Sequence, residues 1–259
     1  INTYKKQFRN YTNEKVEHTY RLMLENQNLS YVKLQKKKYL TLPSLRMNIW
    51  DLIDKFNNIK DNSDPDNNLP QIFHAYQTAE EIRKKYFINN SLKTLNIKDF
   101  FTDELWNNLD EKHKKVYSKT INKLYGFKNW DWLILIGFIH DLGKVLVLDE
   151  FGKLPQWSVV GDTFPVGSKL NQNYVYYNKN YHKKNKSLNI EIYDNNCGFD
   201  NVHFSWGHDE YLASILEINN IKLPKEAYYI IRYHSFYSWH SPKNNEIGYK
   251  HLASNFDWY

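Results

Sequence analysis

Cysteine is almost absent from this chain of 259 residues, which contains only Cys197. A single thiol cannot close a disulfide within the chain, so a secreted scaffold held together by cross-links is excluded. A domain of this length buries enough apolar surface to be stable without them. The first residues also have no apolar core of the kind that a secretory signal requires. We therefore expect a protein of a reducing compartment, the cytoplasm.

Long hydrophobic segments are absent as well. The longest apolar run covers residues 132–139 and ends at the polar pair His140-Asp141. Because a helix needs roughly 20 apolar residues to cross a bilayer, no membrane association is expected. The chain begins at Ile1 instead of a methionine, and we expect it to be part of a longer protein.

Arginine is scarce although the chain is basic. The formal net charge is +6, yet only five of the 35 basic residues are arginine. Recognition of phosphates and bases favours arginine, because its planar guanidinium forms two parallel hydrogen bonds. Many of the lysines fall in segments rich in asparagine and lysine, such as residues 179–186. The charge therefore gives little support to nucleic-acid binding, and none is expected.

What the chain does contain is a series of helical patterns. Apolar residues recur at intervals of three and four in residues 11–27, 47–59, 72–86, 208–218 and 224–239, and residues 130–142 are apolar nearly all round. Residues 156–201 are rich in glycine, proline and asparagine, which predicts loops with a few short strands, including a small hairpin at residues 174–177. These patterns predict one mainly α domain over residues 1–259, a helical bundle with an insertion at residues 89–128.

The pair His140-Asp141, at the end of the most apolar segment, is the first candidate for chemistry. Burying two such polar groups is costly unless they have partners, and either a metal ion or a hydrogen-bonded structural pair would satisfy them. Lys144 follows four residues after His140 and, in a continuous helix, would lie on the same face. A lysine in that place is expected to reach a substrate oxygen or an anion, which favours the functional interpretation.

Three further histidines lie on other predicted helices. His74 is near the start of the helix after Pro70, His208 opens a later one, and His234 lies within the last. Each alone is more often a structural residue, but together they bring imidazoles to four helices, as in dinuclear sites of helical folds. Asp141 has two carboxylate oxygens and is the natural bridge between two ions. The lack of thiolates argues against structural zinc and leaves iron, manganese or hydrolytic zinc.

Several longer motifs resemble those of the myo-inositol oxygenase family, in the order in which that family has them. They are FRNY at 8–11, DNSDPD at 61–66, FHAYQTAE at 73–80, HDLGK at 140–144, QWSVVGDTFPVG at 156–167, SWGHDEY at 205–211 and RYHSFY at 232–237. The resemblance extends over residues 8–257 and is interrupted mainly at residues 89–128. It is far more specific than the His-Asp pair alone, which would indicate only the HD-domain superfamily.

The resemblance implies an HD-domain-like helical fold and a ring-cleaving oxygenase that converts myo-inositol and O2 to D-glucuronate and water. It implies two iron ions in the mixed-valent Fe(II)/Fe(III) state and no organic cofactor. One ion would be held by His74, His140, Asp141 and Asp257, the other by His208 and His234, with Asp141 as the bridge. We expect Asp257 to be ordered for this reason, although by itself it would be a solvated carboxylate. We also expect a monomer whose partners are the small molecules myo-inositol and O2.

The resemblance further implies a set of substrate contacts, in which Lys144 and Asp141 have catalytic roles. These contacts are Arg9, Asp61, Asn62, Ser63, Lys144, Gly161, Asp162, His234 and Ser235. Tyr20 would belong to a lid over the site, and Asn62 stands where the family usually has glutamate. From the residues alone, Gly161-Asp162 would be an ordinary turn and Arg9 a mobile terminal residue.

Two other functions are compatible with the same residues. An HD-domain metal-dependent phosphohydrolase uses the same His-Asp core to activate water against a phosphate ester, and a basic chain would suit that substrate. The segment 161–167 and the two later histidine motifs argue against it. The other alternative is a catalytically inactive binding protein, which is expected to retain fewer than two metal ions per chain.

Overall fold

The computed structural model describes residues 13–41, 46–65, 69–91, 107, 110–112, 114–115, 131–240 and 246–258. In these residues we distinguish eight α-helices: α1 (Glu14–Asn26), α2 (Leu29–Leu40), α3 (Ile49–Phe56), α4 (Gln71–Ser91), α5 (Asp131–Ile139), α6 (His208–Ile218), α7 (Lys225–Tyr233) and α8 (Tyr237–His240). The prediction of a mainly α fold is confirmed. Most of the predicted insertion lies outside the described residues. Among the helices described, none is both long and apolar enough to span a bilayer.

Asparagine side chains start the first three helices. Asn13 accepts a hydrogen bond from the Lys15 N–H, Asn28 from the Tyr31 N–H, and Asn48 from two N–H groups of its first turn. Each bond satisfies donors that a helix start leaves without partners. The Asn28 cap begins α2, which the apolar pattern did not predict because only Val32 and Gln35 of this helix are buried.

The apolar faces of helices α3 to α7 meet in one core beneath the segment that follows α5. This core contains Ile53, Phe56, Ile72, Ala75, Ile136, Ile139, Leu212, Ala213, Ala227 and Ile231, all buried. Close packing of such side chains leaves little freedom for the helices to shift, since removing a buried isoleucine side chain costs about 2–5 kcal/mol. The ends of four of these helices are thereby brought to one place.

The segment after α5 departs from the predicted continuous helix. The α-helix ends at Ile139, the pair His140-Asp141 lies in a turn, and Leu142–Val147 is a 3-10 helix. A Cβ atom on Gly143 would lie 1.9 Å from the backbone oxygen of His208, so this glycine lets the segment press against the start of α6. The tighter turn follows from that close contact between two distant parts of the chain.

Two further predictions are corrected. The helix expected over residues 224–239 is interrupted after Tyr233 and resumes as α8. The hairpin expected at residues 174–177 is a turn that leads into a 3-10 helix, Tyr177–Lys179. Its backbone groups bond locally, with the Tyr174 N–H donating to the Asn171 oxygen and the Tyr177 N–H to the Tyr174 oxygen. In the described part of the chain, the bridge between Pro165 and Phe204 is the one strand-like pairing outside helices.

Candidate metal centre

Asp141 lies at the middle of a cluster of four histidines, and its side chain is only 2% exposed. Its Oδ1 atom is 3.1 Å from His208 Nε2 and 3.4 Å from His234 Nε2. Its Oδ2 atom is 3.5 Å from His140 Nε2 and 3.6 Å from His74 Nε2. Each carboxylate oxygen therefore faces one pair of imidazoles. We call Asp141 Oδ1 with His208 and His234 the inner half, and Asp141 Oδ2 with His74 and His140 the outer half.

The four imidazoles come from the ends of four helices. His74 is in the first turn of α4, His140 follows α5, His208 is the first residue of α6, and His234 follows α7. The rings form a continuous series: the centroid distances are 5.2 Å for His74 and His140, 4.8 Å for His140 and His234, and 5.0 Å for His208 and His234. The Nε2 atoms of His208 and His234 are 3.0 Å apart.

Backbone carbonyls orient three of these rings. The three Nδ1 contacts are His140 with Gly137 O at 2.9 Å, His208 with Val159 O at 2.7 Å, and His234 with Ile231 O at 2.7 Å. A carbonyl oxygen can only accept, so Nδ1 carries the hydrogen and the lone pair of Nε2 points to Asp141. This is the arrangement by which proteins fix the ligating nitrogen of a metal-bound histidine.

The charge states also suit metal ions. Burial lowers the pKa of His140 to about 3, so this ring is neutral and its lone pair is available. Burial would raise the pKa of Asp141, but the neighbouring Lys144 ammonium outweighs this effect and holds the pKa well below its usual range. The centre thus presents an ionised carboxylate and, at His140, a neutral imidazole to a cation, as metal binding requires. Burial would lower the pKa of His208, but its contact with Asp141 raises it, so a cation would compete with a proton at that ring.

The donor set fits two ions of the iron or manganese type. The ligand atoms of His74, His140 and Asp141 lie within 4.8 Å of one another, and so do those of Asp141, His208 and His234. Nitrogen and carboxylate oxygen donors without thiolates are typical of such metals. Three protein donors for each ion would leave coordination positions open, as in catalytic sites. The structure therefore brings together five of the six predicted ligand residues.

The sixth predicted ligand, Asp257, is ordered but is used elsewhere. Its carboxylate accepts hydrogen bonds from the Phe199 N–H at 3.2 Å, the Ser254 N–H at 2.7 Å and the Ser254 hydroxyl at 2.8 Å. Neither group of candidate ligands in the described residues includes it. This corrects the position expected for Asp257: the turn at Ser254 offers it hydrogen-bond donors, and the packing of Trp258 on Trp239 holds the segment there.

Lys144 is buried beside the outer half, and protein acceptors surround its ammonium. Nζ is 2.8 Å from Asp61 Oδ2, 2.9 Å from Asp141 Oδ2 and 2.8 Å from the amide oxygen of Gln71. Burial would lower the pKa of Lys144, but the two carboxylates raise it above its usual value. The predicted approach along an α-helical face from His140 is corrected, because the 3-10 geometry instead aligns Lys144 with Asp141, three residues earlier.

A cavity of about 220 Å³ opens next to the cluster. Of the predicted substrate contacts, it is lined by Asp61, Ser63, Lys144, Gly161, Asp162, His234 and Ser235. Three lining residues were missed by the sequence interpretation, namely Asp64, Gln71 and Tyr237. A signal for Gln71 was present, since it precedes His74 by three residues and so lies on the same helix face. Arg9 lies outside the described residues, and Asn62 is placed beside Gln156, whose side-chain oxygen accepts its N–H at 3.1 Å.

The Gly161-Asp162 turn is fastened on two sides of this cavity. Gly161 has a φ of +97°, a conformation that side chains disfavour, and it lies close to Met23 and Tyr20 of α1. The Tyr20 hydroxyl donates to Asp162 Oδ1 at 2.7 Å. The Thr163 N–H donates to the Ser235 oxygen at 2.9 Å. The turn is therefore a fixed wall of the cavity. Tyr20 is one of the lining residues, and its role in a lid stays a prediction.

Comparison with known proteins agrees with this geometry. A sequence model of the family described as Myo-inositol oxygenase matches residues 13–101 and 94–258, which is nearly the whole chain. The chain belongs to the myo-inositol oxygenase family. The family resemblance expected from the motifs is thus confirmed, and the HD-domain phosphohydrolase alternative is not favoured.

Named relatives in distant organisms match this family member along most of their length. An inositol oxygenase of Dictyostelium discoideum is 38% identical over 259 residues, which cover 97% of this chain and 74% of the relative. A probable inositol oxygenase of Oryza sativa subsp. japonica is 38% identical over 266 residues, covering 99% and 72%. The inositol oxygenase of Homo sapiens is 34% identical over 263 residues, covering 98% and 75%.

Proposed function

We propose that this chain is a ring-cleaving oxygenase that converts myo-inositol and O2 to D-glucuronate and water at a dinuclear iron centre. The observation that carries the proposal is the position of Asp141, whose two oxygens face two separate pairs of histidines in a member of the inositol oxygenase family. A carboxylate that addresses two ions at once is what a dinuclear centre requires and what a mononuclear site does not.

The metal ions would be held by His208, His234 and Asp141 in the inner half, and by His74, His140 and Asp141 in the outer half. We assign them as iron in the mixed-valent Fe(II)/Fe(III) state, by family. When bound, such ions supply Lewis acidity toward the hydroxyls of a polyol and electrons for the activation of O2. Asp257 is left out of the ligand set, because its carboxylate is bonded to Ser254 and Phe199.

The cavity walls suit a neutral ring that carries a hydroxyl on every carbon. Carboxylates of Asp61 and Asp162 lie among its lining residues, together with the hydroxyls of Ser63 and Ser235. Hydrogen bonds in which one partner is charged are about twice as strong as neutral ones, so these groups would orient the ring firmly. Asp162 is held in place by the Tyr20 hydroxyl, which limits the orientations open to the substrate.

Lys144 acts in this proposal as a fixed positive charge. Its raised pKa keeps Nζ protonated at neutral pH, so it cannot serve as a general base. An ammonium at the edge of the cavity would lower the pKa of a nearby substrate hydroxyl and stabilise negative charge on its oxygen. To contact substrate, Lys144 would exchange one of its three protein acceptors for a substrate oxygen.

The direct test is O2 uptake. The metal-free protein is loaded with Fe(II) under anaerobic conditions and then given O2 with myo-inositol. We expect O2 consumption that depends on myo-inositol and matches the D-glucuronate formed. A parallel assay measures phosphate release from a phosphate monoester without O2. Phosphate release without inositol-dependent O2 uptake would replace this proposal with the phosphohydrolase, and fewer than two ions per chain without either activity would favour an inactive binding protein.

A variant of Lys144 tests its assigned role. Lys144→Ala should retain both metal ions but lose transition-state stabilisation on the order of 2–4 kcal/mol, because it removes a charged contact and no ligand. Since Lys144 also neutralises two buried carboxylates, the metal content and thermal midpoint are measured together with turnover. Lys144→Arg, which keeps the charge, is the matched control. Wild-type turnover in Lys144→Ala would reduce this lysine to a structural counter-ion.

Four properties stay predictions: that the protein is a monomer, that it is cytoplasmic, and that it binds neither nucleic acid nor membrane. Sedimentation velocity and cell fractionation would test the first two properties, and binding assays with nucleic acid and vesicles would test the others.

A further inference from the structure

An ion pair between a buried acid and a partly exposed arginine connects the two elements that carry the inner half. Glu210 lies two residues after His208 on α6, and Arg232 lies two residues before His234 on α7. The distance from Arg232 Nε to Glu210 Oε2 is 2.7 Å, and from Arg232 Nη2 to Glu210 Oε1 it is 3.4 Å. The two helices are thus linked at two places two residues apart, once by the imidazoles and once by this pair.

Further charges hold the pair in its orientation. Lys36 of α2 places its Nζ 2.5 Å from Glu210 Oε1. Asp200 accepts from Arg232 Nη1 at 3.1 Å and from the Tyr229 hydroxyl at 2.9 Å. The Glu210 side chain is only 4% exposed, and the carboxylate contacts two cations. The network therefore joins α2, α6 and α7 through one buried acid.

Stability alone is a weak reason for such an arrangement. Taking the two charges out of water costs free energy that their attraction offsets only in good geometry, and apolar residues often stabilise a site equally well. What a two-pronged arginine–carboxylate contact adds is directional precision, because two parallel bonds fix both distance and orientation. Apolar contacts, by contrast, allow helices to slide and rotate slightly.

We propose that Glu210 and Arg232 are positioning residues that hold the His208 and His234 imidazoles at the spacing that one metal ion of the inner half needs. This inference rests on the proposed dinuclear centre and assigns a residue pair that touches neither metal nor substrate. Since both imidazoles face Asp141 Oδ1, a small rotation of α6 against α7 would separate the two Nε2 atoms, which are 3.0 Å apart. The outer half does not depend on this pair, because its histidines come from α4 and the end of α5.

The test is titration of the metal-free protein with Co(II) alone. Calorimetry measures the two affinities, and the visible absorption of Co(II) reports how the ion is coordinated. Wild type should bind two ions per chain. In Glu210→Gln the affinity of the inner half should fall about 10–100-fold, the range typical of groups that orient a ligand, while that of the outer half stays within about threefold. In Arg232→Lys, which keeps the positive charge but loses the two-pronged contact, the affinity of the inner half should fall less. His74→Ala removes a ligand of the outer half. Combining it with Glu210→Gln therefore shows which of the two measured affinities belongs to the inner half.

The control separates positioning from stability. Leu188→Ala removes a buried side chain from a second apolar cluster, in which it packs with residues of α1 and α2, and should lower the thermal midpoint without changing the ratio of the two Co(II) affinities. If the ratio of the inner to the outer Co(II) affinity is unchanged in Glu210→Gln, the pair is only structural and the inference is overturned. Equal losses in both affinities are one form of this result. Fewer than two ions bound by wild type would overturn the dinuclear centre itself, and the inference with it.

Discussion

The two halves of the metal centre use the same kinds of donor in different surroundings. In the inner half the side chains of His208 and His234 are 3% and 17% exposed, whereas in the outer half His74 is 44% and His140 10% exposed. The inner half is fixed by two carbonyl contacts and lies beside an ion pair whose acid, Glu210, is buried. The outer half has one carbonyl contact, at His140, and shares Asp141 Oδ2 with the Lys144 ammonium.

This difference indicates a division of labour between two chemically similar sites. Buried, oriented ligands lose little entropy when they bind an ion and leave water little access to it. A partly exposed ligand beside a competing cation binds more weakly and releases its ion more readily. We therefore expect the inner half to keep its ion and the outer half to exchange it.

The largest effect is expected where the halves meet, at Asp141. Asp141→Asn replaces a charged bridge by a neutral amide and should weaken metal binding in both halves by more than about a hundredfold, or about 3 kcal/mol. Elemental analysis after dialysis measures the loss. Asp162→Asn, a carboxylate of the same cavity outside the ligand set, is the control and should retain both ions. Two ions per chain in Asp141→Asn would contradict the bridging role.

A second substitution tests the contact that joins the Asp141 segment to the inner half. In Gly143→Ala the new Cβ would meet the His208 backbone oxygen at 1.9 Å, and backbone cannot move aside. We expect a loss of about 3 kcal/mol in the free energy of unfolding, the upper range for overpacking. In Gly137→Ala the contact is the end of the Ile82 side chain at 2.4 Å, which can rotate, so the loss should be about 1 kcal/mol.

Urea unfolding of the two glycine variants gives both free energies. Because the new methyl group of Gly143→Ala would displace His208, the Co(II) affinity of the inner half should fall more than that of the outer half. Equal stability of the two variants would mean that α6 can move away from the 3-10 segment, and that the junction is looser than its geometry indicates.

A smaller effect, dependent on pH, is expected at Asp61, which pairs with Lys144 beside the outer half. Burial would raise the pKa of Asp61, but the Lys144 ammonium and the Ser63 hydrogen bonds lower it below its ordinary value. The unfolded state therefore binds this proton more tightly. The stabilisation is fully present above about pH 4, the pKa of an unfolded aspartate, and is lost as the pH falls through the lower folded value.

Asp61→Asn should accordingly cost about 2 kcal/mol at neutral pH in the metal-free protein, and this difference should shrink below about pH 4. Denaturant unfolding at a series of pH values checks both statements. Asp149→Asn, which breaks a pair with Lys153 that is 75% exposed on both sides, should show almost no effect. If the difference in unfolding free energy between wild type and Asp61→Asn does not vary with pH, the ionised Asp61 carboxylate is not the source of the stabilisation.

The smallest expected effect is kinetic and addresses the comparison directly. A chelator added to the loaded protein should remove one ion on the order of tenfold faster than the other, because the ligands differ in exposure and orientation. His74→Ala should abolish the fast phase and leave the slow one. A single phase for both ions in wild type would show that the halves are equivalent in solution despite their different surroundings.

Local chemistry allowed much of this protein to be predicted from its residues. Helical periodicity predicted a mainly α fold, and α6 begins and ends as expected because its apolar pattern and its packing agree. The His-Asp pair and the separate histidine motifs predicted five of the residues that meet at the centre. Imidazole and carboxylate groups are costly to bury without partners, so their presence in apolar segments is itself a signal.

Other features depended on contacts between distant segments, which no local pattern contains. The 3-10 turn at Leu142–Val147 lies where Gly143 closely approaches the backbone of His208, and α2 begins at the Asn28 cap although its apolar face is weak. The carboxylate of Asp257 accepts hydrogen bonds from Ser254, a local contact that the family resemblance did not predict.

The sequence by itself determined which residues supply nitrogen and oxygen donors, since that follows from side-chain chemistry and from motifs in order. The family resemblance implied that Asp141 bridges the two pairs of histidines. Only the tertiary structure decided which carboxylate oxygen faces which pair: Oδ1 faces His208 and His234, and Oδ2 faces His74 and His140 and also contacts Lys144. That division depends on distances of a few ångströms between the ends of four helices. Those distances are set by the packing of the core beneath them, to which helices α3 to α7 contribute from distant parts of the chain.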